Sequence, residues 1–350
     1  MWNLLTQSIG EWGPIALDFL DGYGTADPRH YQKWGFPHYV LTDTEKSKEL
    51  RSLVEYDHSG LIADGVVGQT MHALGTAWSY FPHSWGVRSG NKRTPIEVFN
   101  DDLLLRKAIV KMIRHTSNSR LTESVVRKGL RSFSGTQAVS NFRPTAAAAI
   151  YHHLLPEQGG VTWDMSSGWG GRLLGAIACP RVLKYIGTDP STETINGLRK
   201  MAGELLPMAQ QMGRKLEVEL HQLGSEVYVP EPNSLDLCFT SPPYFDTEKY
   251  SDEPTQSYIQ FPNADAWLTE FMGQTLRNCH IGLKPDGILA INIADVAGHP
   301  DLSRKFVEFA ENNGWRLVET LHLSLSKMIG AKHKYNGTHK YEPIFVFKKK

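Results

Sequence analysis

An α/β fold with a parallel, doubly wound sheet is predicted for the last two-thirds of this 350-residue chain, preceded by a mainly helical region. Three observations predict it. From about residue 142 short apolar runs alternate with helix-like runs, the pattern of strands joined by crossover helices. The first such strand ends in a glycine-rich turn that opens a helix. With 41% apolar and 21% charged residues, the chain can build a packed core.

The elements follow in order. Residues 1–87 are rich in Gly, Pro, Trp, Tyr and His and show few periodic runs. Residues 101–115 read as a helix, because Leu104, Leu105, Ala108, Ile109 and Met112 form a stripe of period 3.6. Its acids lead and its bases trail, as the helix dipole prefers. A second basic helix is expected at 121–131. Strands are then expected at 161–165, 184–189, 215–223, 234–240, 288–295, 315–325 and 343–348. Helices are expected at 172–178, 191–212, 264–282 and 301–312. No internal repeat is visible. The chain is expected to divide into residues 1–140 and 141–350.

The segment 164–172, Asp-Met-Ser-Ser-Gly-Trp-Gly-Gly-Arg, lies between a strand and a helix. Gly168, Gly170 and Gly171 allow a sharp turn and close approach of a ligand. Asp189 ends the next strand, where an acid suits the paired hydroxyls of a ribose. The spacing is not GxGxxG, and no GxxxxGK[ST] occurs, which disfavours NAD and an ATP phosphate loop. Ser241-Pro242-Pro243-Tyr244 follows the 234–240 strand. Two prolines remove amide donors and fix the backbone, leaving carbonyl acceptors in a rigid turn. Such a turn suits an exocyclic amine, with the Tyr244 ring available to stack on a base.

Together, the glycine turn, Asp189 and Thr240-Ser241-Pro242-Pro243-Tyr244 resemble the class I S-adenosylmethionine-dependent amino-methyltransferases, which methylate adenine or cytosine amines in DNA. The resemblance spans about 142–350. It implies a Rossmann-like class I methyltransferase fold with S-adenosylmethionine as cofactor and DNA, or RNA, as partner. Phe142, Arg143 and Pro144 lie where the family lines the methionine end of the cofactor, and 341–348 resembles its last hairpin strand. The resemblance further implies cofactor contacts from Asp164, Ser166, Gly168, Gly170, Arg172 and Asp189, with Asp164 on the methionine part. Ser241, Pro242, Pro243 and Tyr244 would be catalytic, and Phe245, Lys332 and Lys334 would face the substrate. The glycine turn departs from the family's Asp-Pro-Phe-x-Gly-x-Gly-Thr, with Met165-Ser166 for Pro-Phe and Gly171-Arg172 for Thr. Arg172 is expected to pair with an Asp or a backbone carbonyl; transfer of a group from an altered, anionic donor is the other reading of it. An RNA or small-molecule amine methyltransferase and a non-catalytic nucleic-acid binder also stay open.

Net charge is zero, yet residues 88–143 hold 12 basic and 4 acidic side chains, a local +8. That stretch and the lysine-rich loop 327–340 (Lys327, Lys332, Lys334, Lys340) are candidate phosphate contacts. The polar loop 245–262 is expected to act as a lid. The aromatic run 78–85 reads first as core and second as a base-stacking surface. Three scattered cysteines make no disulfide framework or zinc site, and Cys238 reads as a core residue rather than a nucleophile. His152-His153 lacks further ligands at metal spacing, so no metal is expected. With no signal-like start and no long apolar run, a cytoplasmic location is expected and no membrane partner.

Overall fold

The computed structural model describes residues 35–116, 123–132, 135–245, 247–296, 298–325 and 341–350. They fall into two compact units. One takes in residues up to His38 together with His83–Val139; the other comprises Tyr39–Pro82 and Ser140–Lys350. The expected division at 140 differs from this by residues 39–82, which fold with the C-terminal part.

Helix α1 (Asp43–Val54) opens on a capping box. The Glu45 amide donates to Thr42 Oγ1 at 3.3 Å, and the Thr42 amide donates to Glu45 Oε2 at 2.8 Å. Two short strands follow, β1 (Ile62–Ala63) and β2 (Val66–Val67), then helix α2 (Leu74–Ser79). The Thr76 amide and hydroxyl both donate to Glu49 Oε2, at 3.0 and 2.5 Å, tying α2 to α1. The Lys46 ammonium and the Tyr80 hydroxyl converge on Glu204 at 2.6 and 2.8 Å.

The smaller unit holds α3 (Pro95–Phe99), α4 (Asp102–Thr116) and α5 (Glu123–Ser132) around Phe99, Leu105, Ala108, Met112, Val126 and Leu130. At Gly129 an added Cβ would stand 2.9 Å from the Ala108 carbonyl oxygen, so glycine permits the close crossing of α4 and α5. Part of its positive charge is spent inside the unit. Arg127 donates to the Pro37 and His38 carbonyls, Arg131 lies 4.3 Å over the Trp85 ring, and Arg88 and Arg93 pair with Glu97 and Asp101.

The larger unit continues with α6 (Pro144–Leu154), β3 (Gly160–Asp164), α7 (Gly171–Ala178), β4 (Val182–Thr188), α8 (Thr192–Gln211), β5 (Glu217–His221) and β6 (Leu235–Thr240). It ends with α9 (Gly273–Gly282), β7 (Leu283–Asn292), α10 (Leu302–Asn312), β8 (Trp315–Ser324) and β9 (Tyr341–Lys349). The strand order is β1-β2-β8-β9-β7-β6-β3-β4-β5. Strands β3 to β7 pair in parallel, whereas β9 runs antiparallel to both β7 and β8. The sheet is therefore parallel only in part, because a hairpin rather than a crossover helix delivers its last strand. Since β4 and β6 flank β3, the strand order reverses at β3, the position beyond whose carboxyl end open α/β sheets bind their ligands. The expected 264–282 helix contains a π-helical stretch at Trp267–Met272 before α9. Trp163, Leu235, Cys238, Trp267, Leu289, Phe306 and Phe347 are buried in the core on one face.

If residues 39–82 are integral to the larger unit, Glu49→Ala, which strips two donors of their acceptor at the buried Thr76, should cost about 1–3 kcal/mol. Chemical denaturation of the larger unit measures this. An unchanged midpoint would make α1 and α2 peripheral.

Candidate active site

A buried ion pair lies beneath the glycine turn. Asp164, the last residue of β3, is fully buried and Arg172, in the first turn of α7, is 5% exposed. Arg172 Nε donates to Asp164 Oδ2 at 2.8 Å. The Tyr185 hydroxyl of β4 donates to the same oxygen at 2.7 Å. Asp164 Oδ1 accepts from Thr240 Oγ1 of β6 at 2.8 Å and from the Ser166 amide at 3.4 Å. A carboxylate offers about four acceptor positions, and here all four are taken. Asp164 thus clasps β3, α7, β4 and β6 together. Arg172 also donates to the Ser166 carbonyl and to Thr240 Oγ1. Burial pulls the guanidinium pKa down, Asp164 and Tyr185 pull it up, and the net shift is upward. Its Nε and Nη2 are thereby engaged by protein partners.

Around this clasp the turn is shaped by close approach. Gly168 and Gly170 have φ of 53° and 71°, the left-handed region that favours glycine. At Gly171 a Cβ would collide with the Phe142 carbonyl oxygen, and Asn141 Nδ2 donates to the Trp169 carbonyl at 2.9 Å. Segment 141–144 is thereby laid against the turn. The Phe142 ring meets Phe239 edge-on at 5.5 Å, Arg143 is the N-cap of α6, and Pro144 begins that helix.

Asp189 stands just past β4. Its Oδ2 accepts from the Gly168 amide at 3.1 Å and its Oδ1 from the Ser191 amide at 3.0 Å. Each oxygen keeps one acceptor position. Two acceptors side by side, next to the glycine turn, match the donors of a vicinal diol such as a ribose. Burial pushes the Asp189 pKa up to about 6, against the pull of the two amides.

Thr240 links this clasp to the next turn, Ser241–Tyr244. Beyond it the Phe245 amide donates to the Pro243 carbonyl at 2.9 Å, and Phe245 has φ of 52°. A left-handed phenylalanine costs about 1–3 kcal/mol and is tolerated where surroundings enforce it. Its ring is buried and meets His299 at 5.2 Å. The Tyr244 hydroxyl donates to the Asn292 carbonyl at the end of β7, at 3.3 Å. Asn292 is itself buried and its Nδ2 donates to the Pro343 carbonyl of β9 at 3.0 Å. Burial raises the Tyr244 pKa far above the ordinary phenol range, while the neighbouring Ser241 hydroxyl opposes the shift.

Two further groups adjoin the turns. Trp169 is buried between Trp78 and Phe81, with centroids 6.3 and 5.9 Å away, so these members of the 78–85 run act as packing. On the other side Tyr250 meets Trp169 at 5.8 Å. The segment carrying Tyr250 is fastened to the start of α8. Glu253 accepts from the Thr192 amide at 3.1 and 3.2 Å, and the Thr255 hydroxyl donates to the Pro190 carbonyl at 3.5 Å. Sequence reasoning missed Tyr185, Asn292, Glu248 and Tyr250, and it named Thr240 in the motif without its bond to Asp164. An acidic and aromatic bias in 247–258 was the one available signal. Lys332 and Lys334, with the rest of loop 327–340, lie outside the described residues. Among the described residues no cluster suits a metal ion, and no helix is long and apolar enough to cross a membrane. Cys238 is fully buried in β6 and lies against Cys279.

Arg172→Met would leave the Asp164 carboxylate buried without a countercharge, at an expected cost of about 3–5 kcal/mol. Urea denaturation measures this, and a loss below about 1 kcal/mol would contradict the clasp.

Residues 235–350 match the family described as DNA methylase. No curated protein matches the chain. Among solved structures, TrmN from Thermus thermophilus is 16% identical over 59% of this chain and 49% of its own, with a TM-score of 0.39. The tRNA (m1A58) methyltransferase TrmI from Aquifex aeolicus is 14% identical over 61% of this chain and 71% of its own, at 0.39. The [4+2]-cyclase SpnF is 13% identical over 60% and 84%, at 0.41. The family match begins with β6, the strand that delivers Ser241–Tyr244, and runs through the hairpin that closes the sheet. Over residues 235–350 the chain is thus similar to the DNA methylase family.

Proposed function

We propose that the protein methylates the exocyclic amino group of adenine or cytosine in DNA. The observation that carries this reading is the attachment of the Ser241–Tyr244 turn to the glycine turn through Thr240, Asp164 and Arg172. It sets a rigid acceptor turn beside a ribose-type acid at the carboxyl edge of the sheet. The DNA methylase match over 235–350 supports the choice of substrate class.

In this reading Asp189 accepts the two ribose hydroxyls of S-adenosylmethionine, and the backbone at Ser166, Gly168 and Gly170, with Phe142, Arg143 and Pro144, borders the rest. When bound, the cofactor supplies an electrophilic sulfonium methyl group. Asp164 and Arg172 hold the turn in shape rather than touching the donor. A target base turned out of the stack lays its amine against the Ser241 hydroxyl and the Pro242 carbonyl, whose acceptance of hydrogen bonds keeps the nitrogen lone pair directed outward. Pro243 stiffens the turn. Tyr244 offers its ring face, oriented by its bond to Asn292, and Phe245 borders the base. The site works by positioning and by fixed polarity. Residues 1–140 contribute substrate recognition. Lys332 and Lys334 contact backbone phosphate, so replacing both with Ala should lower the salt slope of DNA binding by about 1 per lost contact.

Mass spectrometry of nucleosides from DNA treated with protein and S-adenosylmethionine tests the reading. N6-methyladenine or N4-methylcytosine is expected. Methylation of RNA alone would reassign the substrate, and no methylated nucleoside from either would end the proposal.

Two variants probe the roles. Tyr244→Ala removes a stacking face worth about 1–3 kcal/mol, or about tenfold in rate per 1.36 kcal/mol. Tyr244→Phe keeps the face but loses the Asn292 anchor, so a smaller loss of about 0.5–1.5 kcal/mol is expected. Cys238→Ala should leave turnover intact.

The pH dependence of cofactor-product binding follows from Asp189. Hydroxyl donors bind its ionised form, and its folded pKa is raised to about 6. Affinity for S-adenosylhomocysteine, measured by calorimetry, should therefore weaken as pH falls through about 6 in the wild type. Asp189→Asn should bind more weakly and lack that dependence. A wild-type profile flat from pH 5 to 8 would separate Asp189 from the ligand.

A further inference from the structure

Asp189 accepts hydrogen bonds from the amides of Gly168 and Ser191, and one distant segment of the larger unit touches the neighbours of both donors. Tyr250 packs against Trp169, the residue after Gly168, with ring centroids 5.8 Å apart. Glu253 accepts from the Thr192 amide at 3.1 and 3.2 Å, and the Thr255 hydroxyl donates to the Pro190 carbonyl at 3.5 Å. Both neighbours of Ser191 are thereby held. Segment 250–255 brackets Asp189, with one contact on the glycine turn and two at the start of α8. The helix has its own cap, because Ser191 Oγ accepts from the Thr194 amide at 3.4 Å. Glu253 takes the first amide of this 20-residue helix instead, where the dipole favours a carboxylate. Gln222 Nε2 steadies the same residue by donating to Thr192 Oγ1 at 2.8 Å. The segment also braces itself: the Tyr258 hydroxyl donates to the Ser251 carbonyl at 2.9 Å, and the Glu253 amide to Ser251 Oγ at 3.4 Å. Yet Asp252, Pro254 and Thr255 are exposed, and the bonds to α8 face solvent. A segment fastened by solvent-facing bonds opens locally at small cost.

We infer that Glu253 is a positioning residue of the cofactor site: it latches segment 250–255 across Asp189, and S-adenosylmethionine and its product pass only when the latch opens. This rests on the assignment of Asp189 to the ribose hydroxyls. The acceptor positions that Asp189 keeps are bracketed by the segment, so a ligand on them lies behind it. Entry and exit then require the same two bonds to break, Glu253 to Thr192 and Thr255 to Pro190. Glu253 touches no reacting atom and acts through the segment that carries it. Closure commits the bound donor to transfer and keeps water from it, the usual task of such segments. The expected lid thus closes on the cofactor. Because one barrier controls both directions, loosening the latch speeds entry and exit alike and leaves affinity nearly unchanged. A fixed wall would behave differently, since damage to it would speed exit alone.

Stopped-flow binding of S-adenosylhomocysteine to the full chain, with association and dissociation rates measured separately, tests this. Glu253→Ala should raise both rates by about tenfold, the worth of one charge-assisted hydrogen bond, and hold affinity within about twofold. Thr255→Val should raise both by about threefold. Glu253→Gln keeps an acceptor without the charge, so its rates should fall between those of the wild type and Glu253→Ala. A second readout needs no ligand. Hydrogen exchange at the Thr192 amide, followed by NMR, should be about tenfold faster in Glu253→Ala while the amides of β3 and β4 keep their protection. That protection certifies the fold; if Glu253→Ala fails the check, Glu253→Gln and Thr255→Val decide by the same criteria. Dissociation that speeds up with association unchanged makes the segment a fixed wall and overturns the latch. Wild-type rates in Glu253→Ala overturn it too, as does a Thr192 amide that exchanges equally fast in both proteins. If Asp189→Asn binds S-adenosylhomocysteine as tightly as the wild type, or the wild type does not bind it, the ribose assignment has failed and this inference falls with it, whatever the Glu253 variants do.

Discussion

Asp164 and Arg172 form the contact on which both functional turns depend. The carboxylate closes β3, the guanidinium opens α7, and their other bonds reach β4 through Tyr185 and β6 through Thr240. One pair therefore fixes the glycine turn and the start of the Ser241–Tyr244 turn in a common frame. Its contribution to net stability is not the point, because burying two charges offsets much of their attraction. Its contribution is geometric. A displaced guanidinium would let go of the Ser166 carbonyl and of Thr240 at once.

The same clasp explains which parts of the site were legible in the sequence. Local signals were sufficient for the alternation of strands and helices, for the glycine turn, for Asp189 after β4 and for the proline turn after β6. Each is a feature of a few consecutive residues. The role of Asp164 was not local. Its acceptor positions are filled by Tyr185 and by Thr240, 21 and 76 residues away, and nothing in 164–172 announces them. Asn292 was invisible for the same reason, since its link to Tyr244 spans 48 residues. The extra strands β1 and β2 carried too short an apolar pattern to register, and they gain their meaning from pairing with β8. The basic stretch was legible as charge but not as function. Arg127 and Arg131 turn toward carbonyls and an indole, which composition cannot foretell.

Four groups that interact electrostatically around the two turns have displaced titrations. Asp189, Tyr244, Glu248 and Tyr250 all have raised pKa values for which burial is the leading cause. Such clustering accompanies sites where charge changes during a reaction. The left-handed Phe245 adds backbone strain at the same place. Both are costs that a purely structural edge of a sheet would have no reason to carry.

The place of β9 has a consequence for how the polypeptide reaches its native state. This strand comes last of all in the sheet, yet it is wedged between β7 and β8 and hydrogen-bonds to both. During synthesis β7 and β8 emerge with no partner between them, and β2 waits for β8 across most of the chain. Until Tyr341–Lys349 arrives, the sheet presents two open ladders of unpaired amides and carbonyls, a template for wrong pairing. Contacts so distant in sequence slow folding and expose the nascent protein to aggregation. Asn292, which orients Tyr244, finds its Pro343 partner only at that final step. The half-made protein thus has its glycine turn long before the anchor of Tyr244 is fixed.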